Sequence, residues 1–392
     1  MIRSSFIFEY SNLILFVITI FGGFTALLTG LIAVYQYDIK KIIAYSTCSQ
    51  LGYMFFCTGL SNYNLTLFHL FNHAFFKALL FLGAGSIISA LLDEQDYRRM
   101  GGLVYKMPFT YISIFIGSMA IIGFPFLTGF YSKDFILESA ITSYSIDSTF
   151  IYLLGIFSAF FTAVYSFRLI FFVFLKRTNI YKEDIHIDES NKFILLPLFL
   201  LSLLSIVVGY FFSDLFIGIG NNYLISSIYI KFVHFNYMDI EFLNPFVKNI
   251  PFFFTLIGIF STFLIIKYKN KNKFLYYYFY TLRKNMYIFF FNGAYFNSFY
   301  NKMLVLGIKM FYIINIKHIE KGFLELYGPV GLYIKFRDFS FKSKIWTPNY
   351  IYVSLFFIFV FFNFVLFLIY FNYIVNLKLI YILILIYYIF II

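Results

Sequence analysis

The stretch FHLFNHAFFKALLF, Phe68–Phe81, sets His69, His73 and Lys77 four residues apart in a run that is otherwise almost wholly aromatic and aliphatic. On an α-helix an offset of four turns a side chain through about 400°, so the three drift about 40° per step and rise about 6 Å each. They form one polar file on one helix face. The surrounding apolar run, Asn64–Leu92, is long enough to cross a bilayer. Lys77 falls near its middle, about 20 Å from either end, too deep for its stem to reach the interface.

A charge at that depth costs on the order of 3 kcal/mol on insertion scales, and such groups face the bundle interior or internal water and mark ion paths. A lysine and two imidazoles linked by water can hand protons along, so the file is a candidate proton relay. Two plainer readings stand beside it. A histidine on an apolar helix often only closes a hydrogen bond. His-x-x-x-His also has metal-ligand spacing, but no Cys, Asp or Glu shares the helix, and Lys77 would repel a cation.

The whole chain supports a membrane setting. Its 392 residues are 61% hydrophobic and 12% charged, against roughly 25% charged in an ordinary soluble domain. Apolar runs at Asn12–Gln36, Lys41–Leu60, Asn64–Leu92, Pro108–Tyr144, Phe150–Leu175, Lys192–Phe216, Pro251–Lys267 and Tyr350–Phe371 show no period-2 alternation, so the fold class is an all-α polytopic membrane protein and not a β-barrel. A net charge of +12 would suggest nucleic acid in a soluble domain. Here the basic residues gather at helix ends, where they set topology, and no nucleic-acid partner is expected. Cys48 and Cys57 are nine residues apart, about 13 Å of helical rise, too far for a disulfide, and are expected to be buried thiols. The first apolar run lacks the short core and cleavage site of a signal peptide. The 61 phenylalanines and 36 tyrosines against one Trp suggest an A+T-rich coding sequence of the kind common in organelle genomes.

The turns alternate in character. Asp38, Lys40 and Lys41 follow the first helix, Arg98, Arg99 and Lys106 the third, Lys176, Arg177 and Lys182 the fifth, and KYKNKNK, Lys267–Lys273, the seventh; SNYN from Ser61 and SYSIDS from Ser143 carry no basic residue. The odd turns are therefore assigned to the cytoplasmic or matrix face. Phe296–Tyr327 projects Lys302, Lys309, Lys317, Glu320, Lys321 and Glu325 over about half the circumference at 100° per residue, and reads as an amphipathic helix along the membrane surface. YGPVG from Tyr327 should break it, Trp346 reads as an interfacial anchor, and Leu377–Ile392 is an apolar tail that inserts or lies flat.

A second polar site lies in IIGFPFLTGFYSKDFILE, Ile121–Glu138, where Gly123, Pro125 and Gly129 interrupt an apolar run longer than one span. A broken helix is expected. The backbone groups it frees are tolerable at depth only where they line a cavity. Lys133 and Asp134 follow the break, with Glu138 one turn later, and could end the path that Lys77 begins; the plainer reading is a kinked helix with an interfacial Lys-Asp pair.

DIKKIIAYSTCSQLGYM (Asp38–Met54), FHLFNHAFFKALLFLGAGSII (Phe68–Ile88), DEQDYRRMGGL (Asp93–Leu103) and FPFLTGFYSKDFILE closely resemble the NADH-ubiquinone oxidoreductase chain 5 family, the distal antiporter-like subunits of respiratory complex I. YSFRLIFFVF from Tyr165 and LYGPVGL from Leu326 extend the likeness over most of Leu13–Leu368. The resemblance implies two inverted five-helix repeats, each with a broken helix, and a proton path through His69, His73, Lys77 and Lys133, to which the residue pattern after the break adds Asp134. It also implies a lateral helix bracing neighbouring subunits on the matrix side and a final anchoring span. On that basis the chain divides into the second repeat (1–176), two further transmembrane helices with loops (177–290), the lateral amphipathic helix (291–347), and the anchor with its tail (348–392). The family's first repeat would precede Met1, so a split subunit is expected, with a separate chain carrying that repeat and other membrane-arm subunits and lipids as partners. Localisation follows as the mitochondrial inner membrane, multi-pass, organelle-encoded. The sequence holds no Gly-rich dinucleotide loop and no Cys cluster for iron–sulfur centres. No cofactor is expected in this chain; flavin, iron–sulfur clusters and quinone would sit in other subunits. Two alternatives stand: a scaffold without pumping, and a multisubunit cation/proton antiporter subunit.

Overall fold

Uninterrupted apolar sequence without caps makes long helices, because in lipid every backbone polar group must be satisfied within its own segment. The computed structural model describes residues 1–143, 148–179, 187–218, 227–231, 237–268, 280–346 and 351–374. They fall into two units, Met1–Tyr295 and Phe296–Ile392. The SYSIDS turn, Lys182, most of KYKNKNK, the Leu377–Ile392 tail and the Trp346 side chain lie wholly or largely outside the described residues. Among those residues the chain is helical, with one isolated bridge, Asp38 to Asp96.

The first unit contains α1 (Asn12–Tyr35), α2 (Ile39–Gly59), α3 (Tyr63–Ala90), α4 (Pro108–Ile122), α5 (Phe135–Thr142), α6 (Ser148–Ile170), α7 (Lys192–Ile217), α8 (Pro245–Tyr268) and α9 (Tyr280–Phe291). Helix α8 begins six residues before the Pro251 expected from sequence and carries that proline inside it. Helices α1 to α4 pack in sequence; α6 lies against α1, α2 and α4, and is the most buried of the long apolar helices. Helices α7 and α8 flank this core and turn residues such as Phe193, Leu196, Phe253 and Phe260 outward. In lipid, helix association rests on close packing of small residues, and α1 meets α2 that way: a Cβ on Gly52 would lie 2.5 Å from the backbone nitrogen of Ala26.

Six described helices are long and apolar enough to cross a membrane, and α4 is a shorter apolar helix. Helix α2 is not among the six, because it carries the buried Ser46, Ser49, Gln50 and Thr58. Cys57 is buried but Cys48 is exposed, which corrects the expectation of two buried thiols. Nine residues at 100° each put the two on opposite faces of α2.

The first, third and fifth turns meet at one end of the unit. The Ile39 amide donates to the Gln95 carbonyl (3.1 Å), the Tyr97 amide to Tyr37 (3.2 Å), and the Asn179 side chain to Arg98 (3.3 Å). Arg98 pairs with Asp96 through Nε at 2.9 Å and Nη2 at 2.5 Å, with its guanidinium 3.9 Å from the Tyr37 ring centroid. Arg168 donates to the Val34 carbonyl and faces the Tyr37 and Tyr97 rings. Gln36 reaches the Phe291 carbonyl (3.0 Å) and ties α9 to the same end. At the other end Tyr63 donates to the buried Glu9 carboxylate (3.0 Å).

The second unit contains α10 (Phe296–Phe311), a π-helical stretch Tyr312–Leu324, a turn Glu325–Tyr327, α11 (Pro329–Trp346) and α12 (Ile351–Ile374). The chain breaks at Gly328, which is extended, as Pro329 requires of its predecessor. No residue of Phe296–Tyr327 is buried. The charged face projected at 100° per residue holds only as far as Phe311, because i→i+5 bonding over Tyr312–Leu324 changes the angular step.

Candidate functional site

The apolar run from Pro108 divides at a built break. Helix α4 ends at Ile122, and Gly123 caps it at φ +91°, with its amide shared between the Met119 and Ala120 carbonyls. That left-handed conformation suits glycine. The chain then returns so closely that a Cβ on Gly129 would lie 1.7 Å from the Ala120 carbonyl oxygen. Pro125 lies between the two glycines, outside either helix. A π-helical turn, Phe130–Asp134, follows and feeds α5; such turns recur at functional sites.

Ending α4 inside the bundle leaves carbonyls without intrahelical donors. Lys133 supplies donors: its ammonium reaches the Ile121 and Ile122 carbonyls at 3.3 and 3.2 Å and the Thr162 hydroxyl of α6 at 2.9 Å. It sits 5.3 Å from the Tyr53 ring centroid on α2 and is only 1% exposed. A cation at a helix C-terminus also meets the negative end of the macrodipole. All three acceptors are neutral oxygens, and among the described residues the only carboxyl group that interacts with this lysine by charge is that of the adjacent Asp134. Asp134 and Glu138 are buried on the following turns.

Helix α3 brings its polar file to the same region. His69 contacts Ser132, the residue before Lys133, through Nδ1 at 2.9 Å, and Gln50 of α2 through Nε2 at 3.2 Å. Lys77, 4% exposed, donates to Ser46 of α2 at 2.5 Å. His73 differs from the straight file expected from spacing. Its ring centroid is 6.2 Å from that of His69, it packs edge-on against Phe76 at 5.3 Å, and its buried Nε2 has no hydrogen-bond partner. The helical drift alone would keep His73 between its two neighbours; it is the packing of its ring against Phe76 that accompanies the unbonded Nε2.

Helix α2 thus contributes half the site and was missed as a polar wall. The signal was present: Ser46, Ser49, Gln50 and Tyr53 recur at spacings of three and four within AYSTCSQLGY, one face of a helix. Ser132 and Thr162 had no such signal, because isolated hydroxyls in apolar helices usually bond their own backbone. Among the described residues no group of three or more His, Cys, Asp or Glu could hold a metal ion. The arrangement is two buried ammonium groups, each on hydroxyl or carbonyl oxygens, with a histidine bonded on both nitrogens between them.

Two protein-family models cover nearly the whole chain. The NADH:quinone oxidoreductase/Mrp antiporter transmembrane model matches residues 1–162, and the NADH dehydrogenase subunit 5 C-terminus model matches residues 165–371, more than half the chain. The chain belongs to the NADH dehydrogenase subunit 5 family. Among similar curated proteins, NADH-ubiquinone oxidoreductase chain 5 of Acanthamoeba castellanii is 49% identical over 84% of this chain and 49% of its own length. The chain 5 protein of Phytophthora infestans is 46% identical over 89% of this chain and 53% of its own. The chain therefore spans about half the length of the curated relatives it matches. A chain of the Mrp complex from Dietzia sp. DQ12-45-1b shares the fold at a TM-score of 0.51 and 24% identity, over 66% of this chain and 28% of that one. Membership of the subunit 5 family and the apolar helices make this an integral membrane protein.

Proposed function

We propose that this chain carries a proton path in the membrane arm of a respiratory NADH:ubiquinone oxidoreductase in the mitochondrial inner membrane. The observation that carries the reading is the pair of buried lysines held on oxygen acceptors, Lys77 on Ser46 and Lys133 on the broken end of α4, with His69 bonded between α2 and the π-turn. Ionisable groups at such depth are costly and mark ion paths. In this reading His69, Lys77, Lys133 and Asp134 pass protons, His73 is auxiliary, and the break at Gly123, Pro125 and Gly129 makes the seat for Lys133.

Residues 1–176 act as one antiporter-like repeat, 177–290 as accessory spans and loops, 291–347 as a lateral brace along neighbouring subunits, and 348–392 as an anchor. The rest of the relatives' length, on whichever polypeptide it lies, supplies the facing half of the path. Flavin, iron–sulfur clusters and quinone belong to other subunits, where NADH is oxidised.

The test is Lys77→Ala, read as protons moved per NADH oxidised in vesicles bearing the whole complex. The ratio is expected to fall with assembly retained. An unchanged ratio in a normally assembled complex would remove the relay and leave a scaffold.

A further inference from the structure

The two ends of the polar site are not joined along α3. Lys77 bonds Ser46, His69 bonds Gln50 and Ser132, and His73 between them turns to Phe76 with Nε2 unpartnered. The α2 partners of Lys77 and His69, Ser46 and Gln50, are four residues apart, one helical turn. Facing that turn is Tyr165 of α6, 3% exposed. Its hydroxyl lies beside Ser46, Ser49 and Gln50 yet meets hydrogen-bond geometry with none of them. The Gln50 amide nitrogen is likewise buried without a partner. Buried polar groups are almost always paired, so the Tyr165 hydroxyl and the Gln50 amide can take up a hydrogen bond by a small rotation or one bridging water; His73 Nε2 is a third unpartnered atom, but its ring lies against Phe76.

We propose that the Tyr165 hydroxyl is a positioning group that connects the Lys77–Ser46 segment to the Gln50–His69–Ser132 segment, so that the path crosses from α3 through α2 and α6 and bypasses His73. The hydroxyl accepts a hydrogen bond from one side while donating to the other. It accepts from the Gln50 amide N–H and donates toward Ser46, holding the two segments in register; the amide passes no proton itself, so the proton crosses between Ser46 and His69 on bridging water and neither Tyr165 nor Gln50 changes protonation. The inference rests on the proton-path reading above.

Tyr165→Phe removes one oxygen and keeps the packed ring. In the intact complex it is expected to lower protons moved per NADH at least twofold and to change the solvent deuterium isotope effect on turnover under proton-motive load. Tyr97→Phe, another buried tyrosine with an unpartnered hydroxyl but outside the site, is expected to change neither. If Lys77→Ala lowers the ratio while Tyr165→Phe leaves both readouts at wild-type values, the Tyr165 link is overturned and the path stands. If Lys77→Ala also leaves the ratio unchanged, the path itself falls. Should Tyr165→Phe fail to accumulate, Gln50→Met interrupts the same crossing from α2, and an unaltered ratio there overturns the link.

Discussion

Single residues carry the polar chemistry at both the centre and the basic end of the first unit. At the centre, the broken helix offers Lys133 two carbonyls and α6 the Thr162 hydroxyl; without the break the lysine would lose both carbonyls. At the basic end, burial pushes the Asp96 carboxyl up, and the hydrogen bonds and charge of Arg98, with help from Arg99, outweigh it and hold the group below its ordinary value. A carboxylate whose folded pKa is depressed contributes stability that is present above its unfolded value, about 3.9, and is lost as pH falls through the folded value. Asp96→Asn is therefore expected to be less stable than wild type near neutral pH, and the gap should close on acidification below about pH 4. Thermal unfolding of the solubilised complex across that range checks this, and a gap that stays constant with pH would refute it. His69, His73, Lys77, Lys133 and Asp134 were all legible in the sequence as costly groups at depth. Of their partners, the polar face of α2 was legible in the spacing of Ser46, Ser49, Gln50 and Tyr53, whereas Ser132 in the π-turn and Thr162 on α6 were not, because an isolated hydroxyl has no periodic signature of its own.

Among the elements, the broken helix is the most demanding of geometry. Gly123 needs a left-handed conformation, and Gly129 has a carbonyl where any side chain would begin. Gly129→Ala must displace one backbone from another and is expected to cost more than about 3 kcal/mol, beyond ordinary overpacking. The measurable consequence is loss of assembled complex on native electrophoresis. Gly85→Ala is the control: an added Cβ there meets nothing within 4 Å, and assembly should be unchanged. The break was legible from Gly, Pro and Gly in a run too long for one span. The π-helical turns at Phe130–Asp134 and Phe171–Leu175 were not, since no residue type demands i→i+5 bonding and tertiary packing selects it.

At the scale of the molecule, each unit has its own character. Met1–Tyr295 encloses buried polar residues within an apolar bundle; Phe296–Tyr327 buries nothing and leaves large apolar residues such as Phe299, Met303, Leu306 and Met310 exposed. Ending the chain after Tyr295 is expected to leave the first unit membrane-inserted. Its incorporation into the full-size complex should fall severalfold, because the proposed brace and anchor are gone. Native electrophoresis with in-gel NADH oxidation reads this, and normal incorporation would refute the brace.

The sequence by itself determined the all-helical membrane class, the ends of most long apolar helices to within about two turns, the break and the deep ionisable groups. These follow from run length, periodicity and the cost of charge in lipid, all of which are local. Only the tertiary structure decided that α2 supplies Ser46 and Gln50, that Lys133 caps the broken end of α4, and that His73 stands off the line. Which faces meet depends on helix rotation and close packing. A few tens of degrees about a helix axis separate a bonded histidine from an unbonded one, and no spacing rule resolves that.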